Sequence, residues 1–108
     1  MTVPVPHPHL RCTRQVTAKG QDLTAEQRSR LASWLEANGV RPGEVAADEP
    51  ITVEYKTDGQ REWGHLICFS EYYRNHEGHR TFDYRAQHAT LVRRNVQQST
   101  PIEEVGDA

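Results

Sequence analysis

Residues 51–73, ITVEYKTDGQREWGHLICFSEYY, decide the fold because they contain two strand-like runs joined by a tight turn signal. Apolar and polar residues alternate over residues 51–55, which is the pattern of a half-buried strand. Asp58 and Gly59 favour the two-residue turn of a β-hairpin. The return strand is predicted over residues 62–73, which are rich in aromatic residues. The stretch therefore predicts an antiparallel sheet.

The segment before this hairpin has the signals of one amphipathic helix. Thr24 and Gln27 form a capping-box pattern, in which each side chain satisfies a backbone donor at the start of a helix. Gly39 suits the left-handed position just after the last turn, and Pro42 prevents the helix from continuing. The apolar stripe of this helix consists of Ala25, Leu31, Ala32, Trp34 and Leu35.

The remaining strands flank the helix and the hairpin. They are predicted over residues 10–18, 79–85 and 89–97. In the strand over residues 79–85, Phe82 and Tyr84 lie on one face. The predicted fold class is α+β, with one amphipathic helix packed on a curved antiparallel sheet of about four to five strands in the order β-α-β-β-β-β.

The chain of 108 residues fits one domain with two extensions. Residues 1–9 alternate proline with other residues and predict an extended arm. The domain is predicted over residues 10–98, and residues 99–108 form a flexible acidic tail. With 13 Lys and Arg against 15 Asp and Glu, the net charge of −2 argues mildly against bulk binding of nucleic acid.

The segment LASWLEANGVRPGEVAADEPITVE resembles a layout that recurs in small uncharacterised α+β proteins of actinobacteria and their phages. In these proteins a short helix ends in Gly-Val or Gly-Ile, and an acidic loop with proline leads to a Pro-Ile strand. The resemblance covers about residues 31–55. It implies a small α+β fold without an established activity, so it assigns no functional residues.

The sequence predicts a cytoplasmic protein. The N-terminal residues MTVPVPHPHLRC lack the apolar core of a signal peptide, and no run approaches the roughly 20 apolar residues that span a bilayer. We therefore expect no membrane contact, and we expect Cys12 and Cys68 to be reduced thiols.

A metal site is the third functional hypothesis, and it is placed at the turn that His76 and His79 flank. A third ligand would have to come from His88, His7 or His9. On a strand, His65 and Cys68 point to opposite faces, so they are not expected to form a ligand pair. An ordinary surface turn is the simpler interpretation, and no cofactor is expected.

We expect no enzymatic activity. The chain has no glycine-rich phosphate loop, dinucleotide fingerprint or nucleophile elbow. Cys68 lies in the apolar run LICF, which predicts an inert core thiol rather than a nucleophile.

A nucleic-acid interface is the second functional hypothesis. Residues 61–98 hold six arginines and four acidic residues, interleaved with aromatic residues that can stack on bases. We favour the alternative that the aromatics form the core against Trp34 and the arginines pair with acids across strands. The candidate nucleic-acid-binding residues are Arg74, Arg80, Tyr84, Arg85, Arg93 and Arg94.

Protein–protein interaction is the first functional hypothesis. Exposed edge strands bind partners through backbone hydrogen bonds, and the edges are expected at the last strand, with Arg93 and Arg94, or at the first strand, near Arg11. The expected partner is an unknown protein, and the simplest form is a homodimer with paired edge strands.

Overall fold

The computed structural model describes residues 9–57 and 59–104, with side chains for residues 14–57 and 59–103. It confirms the α+β class. One helix, α1, covers Ala25–Ala37. The strands are β1 (His9–Thr17), β2 (Ile51–Thr57), β3 (Glu62–Tyr72), β4 (Phe82–Asp83), β5 (His88–Ala89) and β6 (Leu91–Gln97), with 3-10 turns at Pro42–Glu44 and Ile102–Glu104. No helix in the described part of the chain is long and apolar enough to cross a membrane.

The main sheet has four strands in the order β1-β2-β3-β6, and each neighbouring pair is antiparallel. Its two edges are therefore β1 and β6, the two strands that the sequence predicts as edges. β4 and β5 form a separate two-stranded ribbon. Strand β3 pairs directly with β6, so the chain between them is an excursion from the sheet.

The strand predicted over residues 79–85 is much shorter in the structure, where only Phe82–Asp83 forms a strand and Arg80 makes a single bridge to Arg74. The side chain of Asp83 explains the difference. Its Oδ1 accepts hydrogen bonds from the backbone N–H groups of Arg85 (3.0 Å) and Ala86 (3.2 Å), which bends the chain into a turn. Gln87 completes that turn with a positive φ of 61°.

The ends of α1 confirm the predicted caps. Thr24 Oγ1 accepts from the Gln27 backbone N–H at 3.1 Å, and the Thr24 N–H donates to Gln27 Oε1 at 2.9 Å. At the other end Gly39 has a φ of +80°, and the Val40 N–H donates back to the Leu35 carbonyl at 2.9 Å. This arrangement satisfies carbonyls that the last turn would otherwise leave without donors.

The core lies between α1 and one face of the sheet. Trp34 and Ile67 are fully buried, as predicted for the helix stripe and the apolar run of β3. Alternation along β2 and β3 places Val53 and Phe69 on this same face. The opposite face of the sheet carries Cys68 and Ser70 at the centre of β3, beside Arg93 of β6.

Residues 99–103, which we call the C-terminal strap, contact α1 through Arg30, Trp34 and Asn38. The Trp34 indole N–H donates to the Thr100 carbonyl at 2.8 Å, and the side chain of Asn38 binds Ser99 and Thr100. Ile102 packs against the core cluster. Packed structure therefore continues beyond residue 98, and the tail prediction for residues 105–108 and the arm prediction for residues 1–8 lie outside the described residues.

Candidate functional site

Residues 73–90 form a projection at one end of the sheet, which we call the distal arm. Its base is held by hydrogen bonds from the Tyr73 N–H to the Thr90 carbonyl and from the Thr90 N–H to the Thr81 carbonyl, both 2.9 Å. The first turn of the arm is organised by Asn75, whose Oδ1 accepts from the N–H groups of Glu77 and His79 at 3.0 Å. These local bonds give the arm a defined shape without a core of its own.

The arm exposes the largest apolar side chains on the described surface. Tyr84 is 79% exposed, Phe82 48% and Tyr73 43%. The rings of Phe82 and Tyr84 meet edge to face with centroids 5.0 Å apart. The sequence-based preference for a core role against Trp34 is therefore wrong for Phe82 and Tyr84. The Asp83 turn removes them from the main sheet and leaves them in solvent.

A cluster of arginines surrounds Glu44 where the arm meets the 3-10 turn. Arg74 binds both carboxylate oxygens of Glu44, at 2.8 and 2.9 Å, and Arg80 lies 3.9 Å from the same group. The hydrogen bond from Arg74 is the main cause that lowers the pKa of Glu44, and it raises the pKa of Arg74. Arg80 also stacks over the Tyr72 ring, 4.0 Å from its centroid.

Beside this cluster lies a cleft of about 640 Å³ between β6, the end of β3 and the loop that follows α1. Three arginines and two glutamates line it: Arg41, Arg74, Arg94, Glu44 and Glu71. The Arg94 Nε donates to Glu71 Oε1 at 3.0 Å across the β3–β6 pair. This pair is one of the cross-strand ion pairs that the sequence predicts. The lining of the cleft therefore has one more positive than negative side chain.

The six candidate nucleic-acid-binding residues occupy three separate places. Arg74, Arg80 and Arg94 lie around the cleft. Tyr84 and Arg85 lie at the exposed turn of the ribbon. Arg93 lies on the opposite sheet face, where its Nη1 donates to Ser70 Oγ at 3.3 Å. The structure therefore does not assemble the six residues into one continuous face.

The histidine turn brings few metal ligands together. His76 and His79 are both exposed on the arm. Among the described residues there is no group of three or more His, Cys, Asp and Glu that could hold a metal ion. His88 lies on β5, where its Nδ1 is 2.6 Å from the Ala89 carbonyl oxygen. His7 and the side chain of His9 lie outside the described residues.

The structure confirms that His65 and Cys68 diverge. His65 packs against the Tyr55 ring, with centroids 5.3 Å apart, on the helix-facing side of the sheet. Cys68 is a free thiol on the other side, only 1% exposed, and its Sγ donates to the Leu66 carbonyl at 3.7 Å. Burial raises the pKa of Cys68 to about 11. The thiol therefore stays protonated at neutral pH, as expected for a core cysteine.

Sequence reasoning missed Glu44, the residue that organises the arginine cluster. Glu44 is 30 residues from Arg74 in the chain, and no periodic pattern connects the two positions. It also missed the separation of the arm from the sheet. Asp83 is a readable signal for it, because an Asp side chain can accept hydrogen bonds from the backbone N–H groups that follow it and so favours a turn.

Comparison with known proteins finds no matching family model, no matching curated protein and no matching solved structure. The resemblance of residues 31–55 to small actinobacterial and phage proteins therefore stays a prediction.

Proposed function

We propose that the protein is a non-enzymatic binding module that recognises another protein through its distal arm. The observation that carries this proposal is the exposed aromatic pair of Phe82 and Tyr84 at the end of a projecting ribbon. We place the protein in the cytoplasm as part of the same proposal, since two cysteines do not make the dense disulfide framework of small secreted domains.

The chemistry of the arm suits a protein interface. Tyrosine, phenylalanine and arginine are enriched at the centres of such interfaces, where aromatic anchors fill pockets of the partner. A fully exposed aromatic side chain can bury roughly 150–250 Å². Since Phe82 is 48% and Tyr84 79% exposed, together they could supply about a third of the ~800 Å² that each partner buries in a standard interface. Neighbouring surface must supply the rest, and the cleft and β6 adjoin the arm.

The test compares wild-type protein with Phe82→Ser/Tyr84→Ser. A matched control is Arg28→Ser/Glu36→Ser, which changes two exposed residues of α1. Immobilised proteins are incubated with nuclease-treated lysate of the source organism, retained proteins are quantified by mass spectrometry, and the native mass of each variant is measured. We expect a specific protein, or a second copy of the chain, to be retained by wild type and control but reduced about tenfold by the arm variant.

Identical retention by the arm variant and by the control would contradict the assignment of the arm as the binding surface. A loss shared by both double variants would do the same, because it would show a general effect of surface change rather than a contact made by the aromatic pair.

Nucleic-acid binding is the second candidate, and the position of Tyr84 beside Arg85 favours it. Both residues are exposed at the ribbon turn, where a base could stack on the ring and a phosphate could meet the guanidinium. Against it, Arg74 and Arg94 already hold carboxylates at 2.8 and 3.0 Å. A mobility-shift titration at two salt concentrations discriminates the candidates. Binding that falls steeply with salt and is lost in Arg85→Ala would favour nucleic acid.

A further inference from the structure

The outer edge of β6 carries backbone groups that no described strand pairs with. The Gln98 N–H donates to the His65 carbonyl, and the Tyr73 N–H donates to the Thr90 carbonyl, both at 2.9 Å. These two bonds fix the alternation of the antiparallel ladder, so the even-numbered residues of β6 direct their N–H and C=O groups toward β3. Arg93 and Asn95 therefore direct theirs outward.

Both sides of this edge are positively charged. On the helix-facing side, Arg94, which is paired with Glu71, forms one wall of the cleft, and Arg41 lines its other side. On the opposite side Arg93 is exposed, and among the described residues no carboxylate lies within ion-pair distance of it. A strand added beside β6 would direct alternate side chains to these two sides. Acidic side chains at those positions would meet arginines on both faces.

Two of the two-fold registers in which β6 could pair with a second copy of itself are disfavoured by the same residues. A two-fold antiparallel pairing centred on Arg94 sets Arg94 opposite Arg94, and a pairing shifted by two residues sets Arg93 opposite Arg93. Like charges directly opposite one another destabilise a strand pair. Charged residues on an edge strand are a common protection against such self-association.

We propose that β6 binds an extended acidic segment of a partner protein as an added strand. The backbone groups of Arg93 and Asn95 supply the hydrogen bonds, and the charges on both sides of the strand select Asp and Glu side chains. This inference rests on the proposed function, and it adds a second contact and a partner chemistry to it. Edge and arm would then bind adjacent parts of one partner, since the arm ends where β6 begins.

The test uses a fluorescein-labelled ten-residue peptide in which Glu alternates with Val or Thr, and a matched peptide with Gln in place of Glu. Binding is followed by fluorescence anisotropy at low and moderate salt. The decisive variant is Asn95→Pro. Proline removes the outward N–H and places its ring there, but it leaves the β3 ladder intact because the Asn95 N–H does not point toward β3. Asn95→Ala, which keeps the N–H, is the matched control.

We expect Asn95→Pro to weaken binding of the Glu peptide by about tenfold or more, because a backbone hydrogen bond is lost and the ring obstructs the added strand. Asn95→Ala should change affinity less than about twofold. Arg93→Glu, which keeps the backbone, should weaken the Glu peptide and not the Gln peptide. If Asn95→Pro fails to fold by circular dichroism, Arg93→Glu carries the test.

Undiminished binding to both Asn95→Pro and Arg93→Glu would overturn the proposal, and so would the absence of binding to wild type. The arm variant Phe82→Ser/Tyr84→Ser separates this outcome from failure of the proposed function. It should bind the peptide as wild type does, since the peptide uses β6 alone. If it loses its retained protein while wild type ignores the peptide, the arm proposal stands and the edge proposal fails.

Discussion

Replacement of Asn38 by alanine should detach the C-terminal strap from α1. The Asn38 side chain is buried, and its Nδ2 donates to the carbonyls of Trp34 and Thr100, both at 2.9 Å. Its Oδ1 accepts from the N–H groups of Ser99 (2.8 Å) and Thr100 (3.0 Å). The two carbonyls keep another donor in the variant, because the Asn38 backbone N–H and the Trp34 indole N–H already bind them. The two N–H groups of the strap lose the only acceptor described for them.

The cost of Asn38→Ala follows from these four bonds. A net hydrogen bond contributes about 1 kcal/mol, and a buried group left unpaired costs about 1–3 kcal/mol. Because the strap is partly exposed and water can reach its N–H groups, we expect a loss of about 3 kcal/mol rather than the upper limit. That loss is a large fraction of the roughly 5–15 kcal/mol by which small domains are stable.

Urea unfolding followed by tryptophan fluorescence measures this loss, since Trp34 lies under the strap. The matched control is Asn75→Ala, which removes two hydrogen bonds to N–H groups in the exposed first turn of the arm and should cost less than about 1 kcal/mol. Amide hydrogen exchange should speed up at Ser99 and Thr100 in Asn38→Ala alone. Equal losses in the two variants would refute the reasoning that burial and the strap set the cost.

Three further predictions concern single residues. The pKa of Glu44 is lowered, chiefly by its hydrogen bond with Arg74, so the stability that this group contributes is present above the ordinary pKa of 4.5 and is lost as pH falls below it. Glu44→Gln should therefore flatten the melting temperature against pH on the acid side, and an unchanged slope would contradict this. Burial raises the pKa of Cys68 from its ordinary value of 9.0 to about 11. The free energy of unfolding should therefore fall as pH rises from 9.0 toward 11, because the thiol ionises more readily in the unfolded chain. In Cys12→Ser protein, iodoacetamide should label Cys68 at pH 8 only after unfolding, and rapid labelling of folded protein would disprove the burial argument. Gly39→Ala should cost about 1 kcal/mol in urea unfolding through its positive φ alone, since a Cβ would meet no atom within 4 Å; a clearly larger loss would indicate a steric clash.

The helix and the central hairpin were predictable because their signals are local. The Thr24–Gln27 box spans one turn, and Gly39 follows the last turn directly, so each end of α1 is encoded within four residues. The alternation over residues 51–55 likewise determines which face of β2 is buried. These signals need no knowledge of distant parts of the chain, and the structure confirms them.

The candidate site depends on contacts between distant residues, and the sequence could not supply these. Glu44 meets Arg74 across 30 residues, and Asn38 meets Thr100 across 62 residues. The exposed position of Phe82 and Tyr84 depends on whether the alternation over residues 79–85 continues as a strand or stops at Asp83. Two local preferences compete at that point, and the side-chain hydrogen bonds of Asp83 prevail over β-propensity.

The measurement that tests the central claim most directly combines stability and binding in Phe82→Ser/Tyr84→Ser. The claim is that these aromatic rings bind a partner and do not hold the fold together. The free energy of unfolding should then change by about 1 kcal/mol or less, which is the stabilisation expected from one exposed aromatic pair. Retention of the partner protein should fall about tenfold. A loss of more than about 2 kcal/mol with retention unchanged would show that the rings stabilise the fold and would contradict the account.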